Sequence, residues 1–101
     1  EMSKRLHSGE FSVQAHVDLP GLDREQAKAA FDFFLEESLH FNKRMLLIIH
    51  GRGLSSPGQP VLKNLVGQWL TRGPWRKWVL AFSSARAADG GSGATYVLLR
   101  N

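Results

Sequence analysis

Two short segments of the sequence combine residues that can hold a phosphate and move a proton. They are His50-Gly51-Arg52-Gly53 and Gly90-Gly91-Ser92-Gly93. A histidine can act as a general acid or base near neutral pH, and an arginine can grip a phosphate with two hydrogen bonds and stabilise charge during phosphoryl transfer. Glycines let the backbone approach a ligand closely and expose its amides. Each segment alone is a weak motif, because glycines that follow strands usually mark turns, but the two segments together predict a phosphate-binding site.

The elements that must position these segments follow the order β-α-β-α-β-β. Apolar and alternating patterns predict four strands, over residues 13–19, 45–49, 78–82 and 95–99. The strands over 45–49 and 95–99 are apolar throughout, which predicts burial on both faces, and the strand over 95–99 is predicted to be central in the sheet. The first helix is predicted to begin after Asp23, an N-cap that Gln26 completes as a capping box, and to end at a left-handed Asn42. The second is predicted to begin at Pro60 and to end at Gly73.

This order predicts that three loops meet at one edge of the sheet. Strand-helix-strand connections are right-handed, so the first three strands should run in the same direction. Asp18, His50 and the loop with Gly90–Gly93 would then leave the sheet at its shared carboxyl edge, where open α/β sheets bind ligands.

Composition limits the class of protein. The 101 residues suffice for one domain. The absence of Cys excludes thiol chemistry and fits a cytoplasmic protein. No apolar run approaches the ~20 residues of a membrane span. Residues 1–12 are polar and lack periodicity, which predicts an N-terminal arm or linker before a monomeric domain over 13–101, part of a longer chain. Residues 1–42 hold four Lys/Arg against eight Asp/Glu (−4), whereas residues 43–101 hold nine against one (+8), a balance that suits a polyanionic partner.

The spacing of three motifs resembles the Smr (small MutS-related) domain family. Val17-Asp18-Leu19-Pro20-Gly21-Leu22 matches the family's LDLHG-L, residues 49–53 match its HG(K/R)G, and residues 90–93 match its GG(S/T/A)G. The resemblance covers about residues 9–101. It implies a two-layer α/β sandwich with a mixed four-stranded sheet, similar to the C-terminal domain of translation initiation factor 3. It also implies nucleic-acid binding and endonuclease activity, in DNA repair or recombination or in mRNA cleavage at stalled ribosomes.

The first hypothesis is an endonuclease acting on RNA or DNA. In it Asp18 orients His50 or holds a divalent ion such as Mg²⁺, His50 moves protons, and Arg52 stabilises the transition state. The family motif ends in a His or Arg that is often assigned to cleavage, but Pro20 occupies that position here and supplies neither proton nor charge. His16 should share a strand face with Asp18 and is the nearest substitute.

The second hypothesis is a binding module that has lost cleavage, and Pro20 motivates it. The predicted nucleic-acid contacts are Gly51, Arg52, Gly53, Lys63, Arg72, Arg76, Lys77, Gly90, Gly91, Ser92 and Gly93. Trp75 and Trp78, which flank Arg76-Lys77, are candidates for stacking on bases. A third hypothesis is a protein-interaction module that docks on ribosomes.

Overall fold

A mixed four-stranded sheet lies at the centre of the computed structural model, which describes residues 2–52 and 61–100. The strands are β1 (Ala15–Asp18), β2 (Met45–Ile49), β3 (Val79–Ser84) and β4 (Ala94–Leu99). The helices of the described ranges are α1 (Met2–His7), α2 (Arg24–His40) and α3 (Leu62–Arg72). Short 3-10 turns cover Pro74–Trp78, Ala87–Asp89 and Gly91–Gly93. The predicted contact at Gly53 and helix start at Pro60 lie outside the described residues.

The strand order across the sheet is β1-β2-β4-β3. Strand β2 is parallel to β1, and β4 is antiparallel to both β2 and β3. Strands β1, β2 and β3 therefore run in the same direction, and β4 is central, as predicted. Although α3 connects β2 to β3 along the chain, these two strands are not neighbours in the sheet, because β4 lies between them. The carboxyl ends of β1, β2 and β3 still share one edge.

Helix α2 begins and ends as its sequence predicts. The Gln26 amide donates to Asp23 Oδ1 over 2.8 Å, and the Asp23 amide donates to Gln26 Oε1 over 3.0 Å, which is a complete capping box. Beyond its last turn, Asn42 has a φ of 57° and reverses the chain into β2.

The main core lies between one face of the sheet and the helices α2 and α3. Its aromatic contact is between Phe31 and Trp69, whose ring centroids are 5.1 Å apart. The strands contribute Leu46, Ile48, Val97 and Leu99 to the same face. This layer fixes α3 over β4 and β3, which matters for the site.

The predicted N-terminal arm is partly a folded element. Helix α1 lies on the opposite face of the sheet, where Leu6 is fully buried in a second cluster with Leu47, Tyr96 and Leu98. A six-residue helix is too short to show a period in the sequence and is not stable alone. It forms here because Leu6 packs on the sheet. The six residues alone contain no signal that predicts a helix.

In the ranges that the structure describes, no helix is both long and apolar enough to cross a membrane.

Candidate nucleic-acid interface

Backbone hydrogen bonds join the two glycine-rich segments at the carboxyl edge of the sheet. The amides of His50 and Gly51 both donate to the Gly93 carbonyl, over 3.0 and 2.9 Å. Gly51 and Gly90 have φ values of 88° and 113°, which only glycine adopts without strain. The predicted meeting of the segments is confirmed for residues 50–52 and 90–93, which we call the rim.

The side chain of His50 is buried below the backbone of the rim and does not reach its surface. It is 4% exposed, and both ring nitrogens have partners. Nδ1 is 2.8 Å from the Gly51 carbonyl, and Nε2 is 2.8 Å from Thr95 Oγ1. Because a carbonyl can only accept, Nδ1 carries the proton, and in the neutral ring Nε2 accepts from the Thr95 hydroxyl. Thr95 is only partly buried, so it is the link between the ring and solvent.

The environment of His50 favours its neutral form. Burial is the largest cause and lowers the pKa of His50 below 6.5, the hydrogen bond to Gly51 opposes this, and the positive charge of Lys63 lowers the pKa further. A neutral imidazole whose unprotonated nitrogen is Nε2 is the state that a general base needs, and here that nitrogen is reached through the Thr95 hydroxyl.

Arg52 extends the site to the surface. Its side chain is exposed, and its stem lies against Gly93, where an added Cβ would be 3.5 Å from Arg52 Cγ. The guanidinium is therefore available to a ligand at the rim, while its base is fixed by the close approach of the two segments.

Asp18 and His50 are on opposite faces of the sheet. Asp18 is in register with Ile49, so its side chain is on the face that α1 partly covers. His50 instead reaches Thr95, whose partner Ile48 faces the main core. The predicted orienting role of Asp18 is wrong, because the Gly51 carbonyl and Thr95 hold the ring. The sequence could not show this, since the face of His50 depends on how the chain leaves β2.

The neighbour of Asp18 is His16, on the same strand face as predicted. Their side chains are both largely exposed, and His16 Nε2 is 3.9 Å from Asp18 Oδ2. Within residues 2–52 and 61–100, no group of three His, Asp or Glu side chains is placed to hold a metal ion. A divalent ion at Asp18 stays a prediction from the sequence, and we assign no chemical step to one.

A groove of about 410 Å³ between α3 and β3 leads to Thr95. Lys63 and Arg72, two of the predicted contacts, line it from α3, and Phe82 and Ser84 line it from β3. Sequence reasoning missed Thr95 and Phe82. The signal for Thr95 was its hydroxyl at the start of an otherwise apolar strand, whereas nothing local distinguishes Phe82 from a core residue.

Arg76 and Lys77 lie away from the rim. They are in the 3-10 turn that precedes β3, whereas the rim follows its other end, about 20 Å further along a six-residue strand. The indole N–H of Trp75 donates to Asp32 over 2.9 Å, which ties this predicted stacking residue to an acidic side chain of α2. Lys77 lines a surface cavity together with the acidic residues Asp32 and Glu36, a poor place for a polyanion.

Comparisons with known proteins agree with this architecture. The family model described as Smr domain matches residues 17–100. The chain is 33% identical over 97 residues to "Probable DNA endonuclease SmrA" of Escherichia coli, covering 95% of this chain and 50% of that protein. It is 30% identical over 96 residues to "Ribosome rescue factor SmrB" of Erwinia tasmaniensis, covering 95% and 48%. It therefore spans about half the length of these relatives.

Among solved structures, the chain is similar to the crystal structure of YdaL, a stand-alone small MutS-related protein from Escherichia coli. The TM-score is 0.79 at 32% identity, and the match covers 97% of this chain and 73% of that one. The shared fold, the family model and the three motifs agree, and the chain belongs to the Smr domain family.

Proposed function

We propose that this domain binds nucleic acid at the rim and cleaves a phosphodiester bond there. The observation that carries the proposal is the hydrogen-bonded chain from the α3–β3 groove through Thr95 to Nε2 of a buried, neutral His50. The names of relatives, an endonuclease and a ribosome rescue factor, support a nucleic-acid substrate.

The chemistry follows from the positions of the protons. A nucleophilic hydroxyl, from water or a ribose, loses its proton to Thr95 Oγ1 while the Thr95 proton passes to His50 Nε2. The new oxygen–phosphorus bond forms, the bond to the leaving oxygen breaks, and that oxygen takes a proton from solvent. The imidazolium keeps its Nδ1–H bond to the Gly51 carbonyl and then returns its Nε2 proton to solvent through Thr95, which restores the neutral ring. Arg52 and the backbone amides of the rim stabilise the charge that develops on the phosphate.

The test is a cleavage assay with labelled single-stranded RNA, single-stranded DNA and branched DNA, with and without chelator. We expect His50→Ala to lower the cleavage rate by about 100-fold or more, while His40→Ala, which removes an exposed histidine on α2, leaves it unchanged. Since His50→Ala also leaves a cavity, Thr95→Val and Thr95→Ser form a second pair. The valine variant should lose cleavage and the serine variant should keep it. Undiminished cleavage by both His50→Ala and Thr95→Val would contradict the proposal.

A non-catalytic binding module is the second candidate, and two observations favour it. Pro20 stands where the family has His or Arg, and both nitrogens of His50 are already occupied. In this case the protein binds the same oligonucleotides with a marked salt dependence and cuts none of them.

A further inference from the structure

The groove between α3 and β3 has the features of a path for a nucleic-acid strand. Its lining combines cations and neutral hydrogen-bonding side chains, and within the described part of the chain it contains no acidic residue. The polar lining residues are Lys63, Asn64, Gln68, Thr71, Arg72, Ser83, Ser84 and Thr95. This charge balance is complementary to a polyanion such as a phosphate chain.

The two cations of the groove are spaced along its length. Lys63 and Arg72 belong to the same helix, nine residues apart, which corresponds to about 13.5 Å along the axis. Both side chains are exposed. Two charges at this separation can hold two phosphates of one strand that are not adjacent, with room for at least one nucleotide between them.

An aromatic ring lines the same groove as those cations. Phe82 is 36% exposed, lies on β3 and lines the groove. Strand β3 is at the end of the sheet order, so none of the described strands pairs with its outer side. Edge strands commonly carry charged residues or proline, but β3 exposes Leu80 and Phe82 instead. An exposed ring in a groove that also carries cations is the combination by which single-strand binding proteins stack a base and hold the backbone.

The groove also leads to the proposed reaction centre. Thr95 lines the groove and donates to His50 Nε2, and the charge of Lys63 is close enough to lower the pKa of the His50 ring. A strand held along the groove thus presents one phosphate beside Thr95. A duplex cannot make the same contact with Phe82, because its base faces are covered by their stacked neighbours.

From these features we infer that the α3–β3 groove binds single-stranded nucleic acid, with Phe82 stacking on a base and with Lys63 and Arg72 holding phosphates. The inference rests on the proposed function for the class of ligand, but it does not require that the ligand be cut. A protein strand added to the free edge of β3 is the competing occupant, and the test must separate the two.

The experiment measures binding of fluorescent 12-residue oligouridylate, oligothymidylate and a matched duplex to the full chain. Phe82→Ala should weaken binding of both single strands by about 5- to 100-fold and leave duplex binding unchanged. Phe82→Trp, which keeps an aromatic ring at this position, should bind both single strands as the parent does. Phe33→Ala is the matched control, because Phe33 is 64% exposed on α2 and lies outside the groove.

The cations are tested by salt dependence. Each of Lys63→Ala and Arg72→Ala should reduce the slope of log K against log salt by about 0.7, the value for one phosphate contact on a single strand. Lys43→Ala removes an exposed cation that precedes β2 and should leave the slope unchanged.

The outcomes distinguish the inference from the proposed function. Equal affinities for Phe82→Ala, Phe33→Ala and the parent, or an equal loss for duplex, would overturn the groove assignment even if His50→Ala abolishes cleavage. Weakened single-strand binding by Phe82→Ala, with cleavage unaffected by His50→Ala and Thr95→Val, would support the groove and refute the reaction. A parent chain that binds neither single strand would refute the groove, and the free edge of β3 would then be left to a protein partner.

Discussion

Replacing Tyr96 by phenylalanine tests whether a single buried hydroxyl holds the Gly90–Gly93 segment against the sheet. Tyr96 is 2% exposed, and its hydroxyl donates to the Asp89 carboxylate and accepts the Arg86 amide. The amides of Asp89 and Gly91 both donate to the Arg86 carbonyl, so these bonds shape the turn that leads to Gly93. Burial, followed by the hydrogen bond to Asp89, raises the pKa of Tyr96, and the hydroxyl stays a donor at neutral pH.

The magnitude follows from what the variant keeps and loses. Tyr96→Phe keeps the ring in the core, so the loss is limited to the hydrogen bonds. A bond to a charged group contributes about 1.5–3 kcal/mol. Because Asp89 is partly exposed and water can replace the hydroxyl there, we expect the lower end, about 1.5 kcal/mol. With a urea m-value of about 1.5 kcal/mol/M, the unfolding midpoint should fall by about 1 M.

The assay is equilibrium urea unfolding of a double-mutant cycle. Asp89→Asn keeps an acceptor and should cost clearly less than Tyr96→Phe. Tyr96→Phe and Asp89→Ala should be non-additive by at least about 0.5 kcal/mol, since each alone breaks the same bond. A midpoint shift below about 0.3 M for Tyr96→Phe, or additivity within about 0.3 kcal/mol, would refute the role that we assign to this pair.

Three further predictions concern other parts of the molecule. Leu6→Ala should lower the free energy of unfolding by about 3 kcal/mol, since Leu6 is fully buried; a loss below about 1 kcal/mol would mean that α1 does not pack on the sheet. The pKa of His50 is lowered in the folded state, so its contribution to stability is complete above pH 6.5 and is lost as the pH falls below 6.5. Unfolding measured from pH 5 to 8 should show this loss, and His50→Gln should reduce it. Pro20→His should raise the cleavage rate by about 100-fold if a proton donor is missing there, and an unchanged rate in single-turnover assays would show that His50 and Thr95 do not need one.

The elements of the sheet layer were predictable because their signals are local. The capping box of Asp23 and Gln26 and the left-handed Asn42 each depend on residues within one turn of helix. The apolar run Met45–Ile49 predicted a buried strand because burial on both faces leaves no polar position in the pattern. Helix α1 was not predicted because its signal is not local: it is a helix only through the packing of Leu6 on the sheet.

The candidate site was predictable as a location but not as an arrangement. The order of elements in the sequence predicts that the segments of His50-Gly51-Arg52 and Gly90–Gly93 follow strands that end at one edge, because strand direction follows from that order. The burial of His50 against Thr95 and the opposite orientation of Asp18 became visible in the folded sheet. The same holds for the position of Arg72 in the groove and of Arg76 outside it. These facts depend on register and on which strands pair, and residues 45 positions apart, such as His50 and Thr95, come together only when the whole sheet has formed.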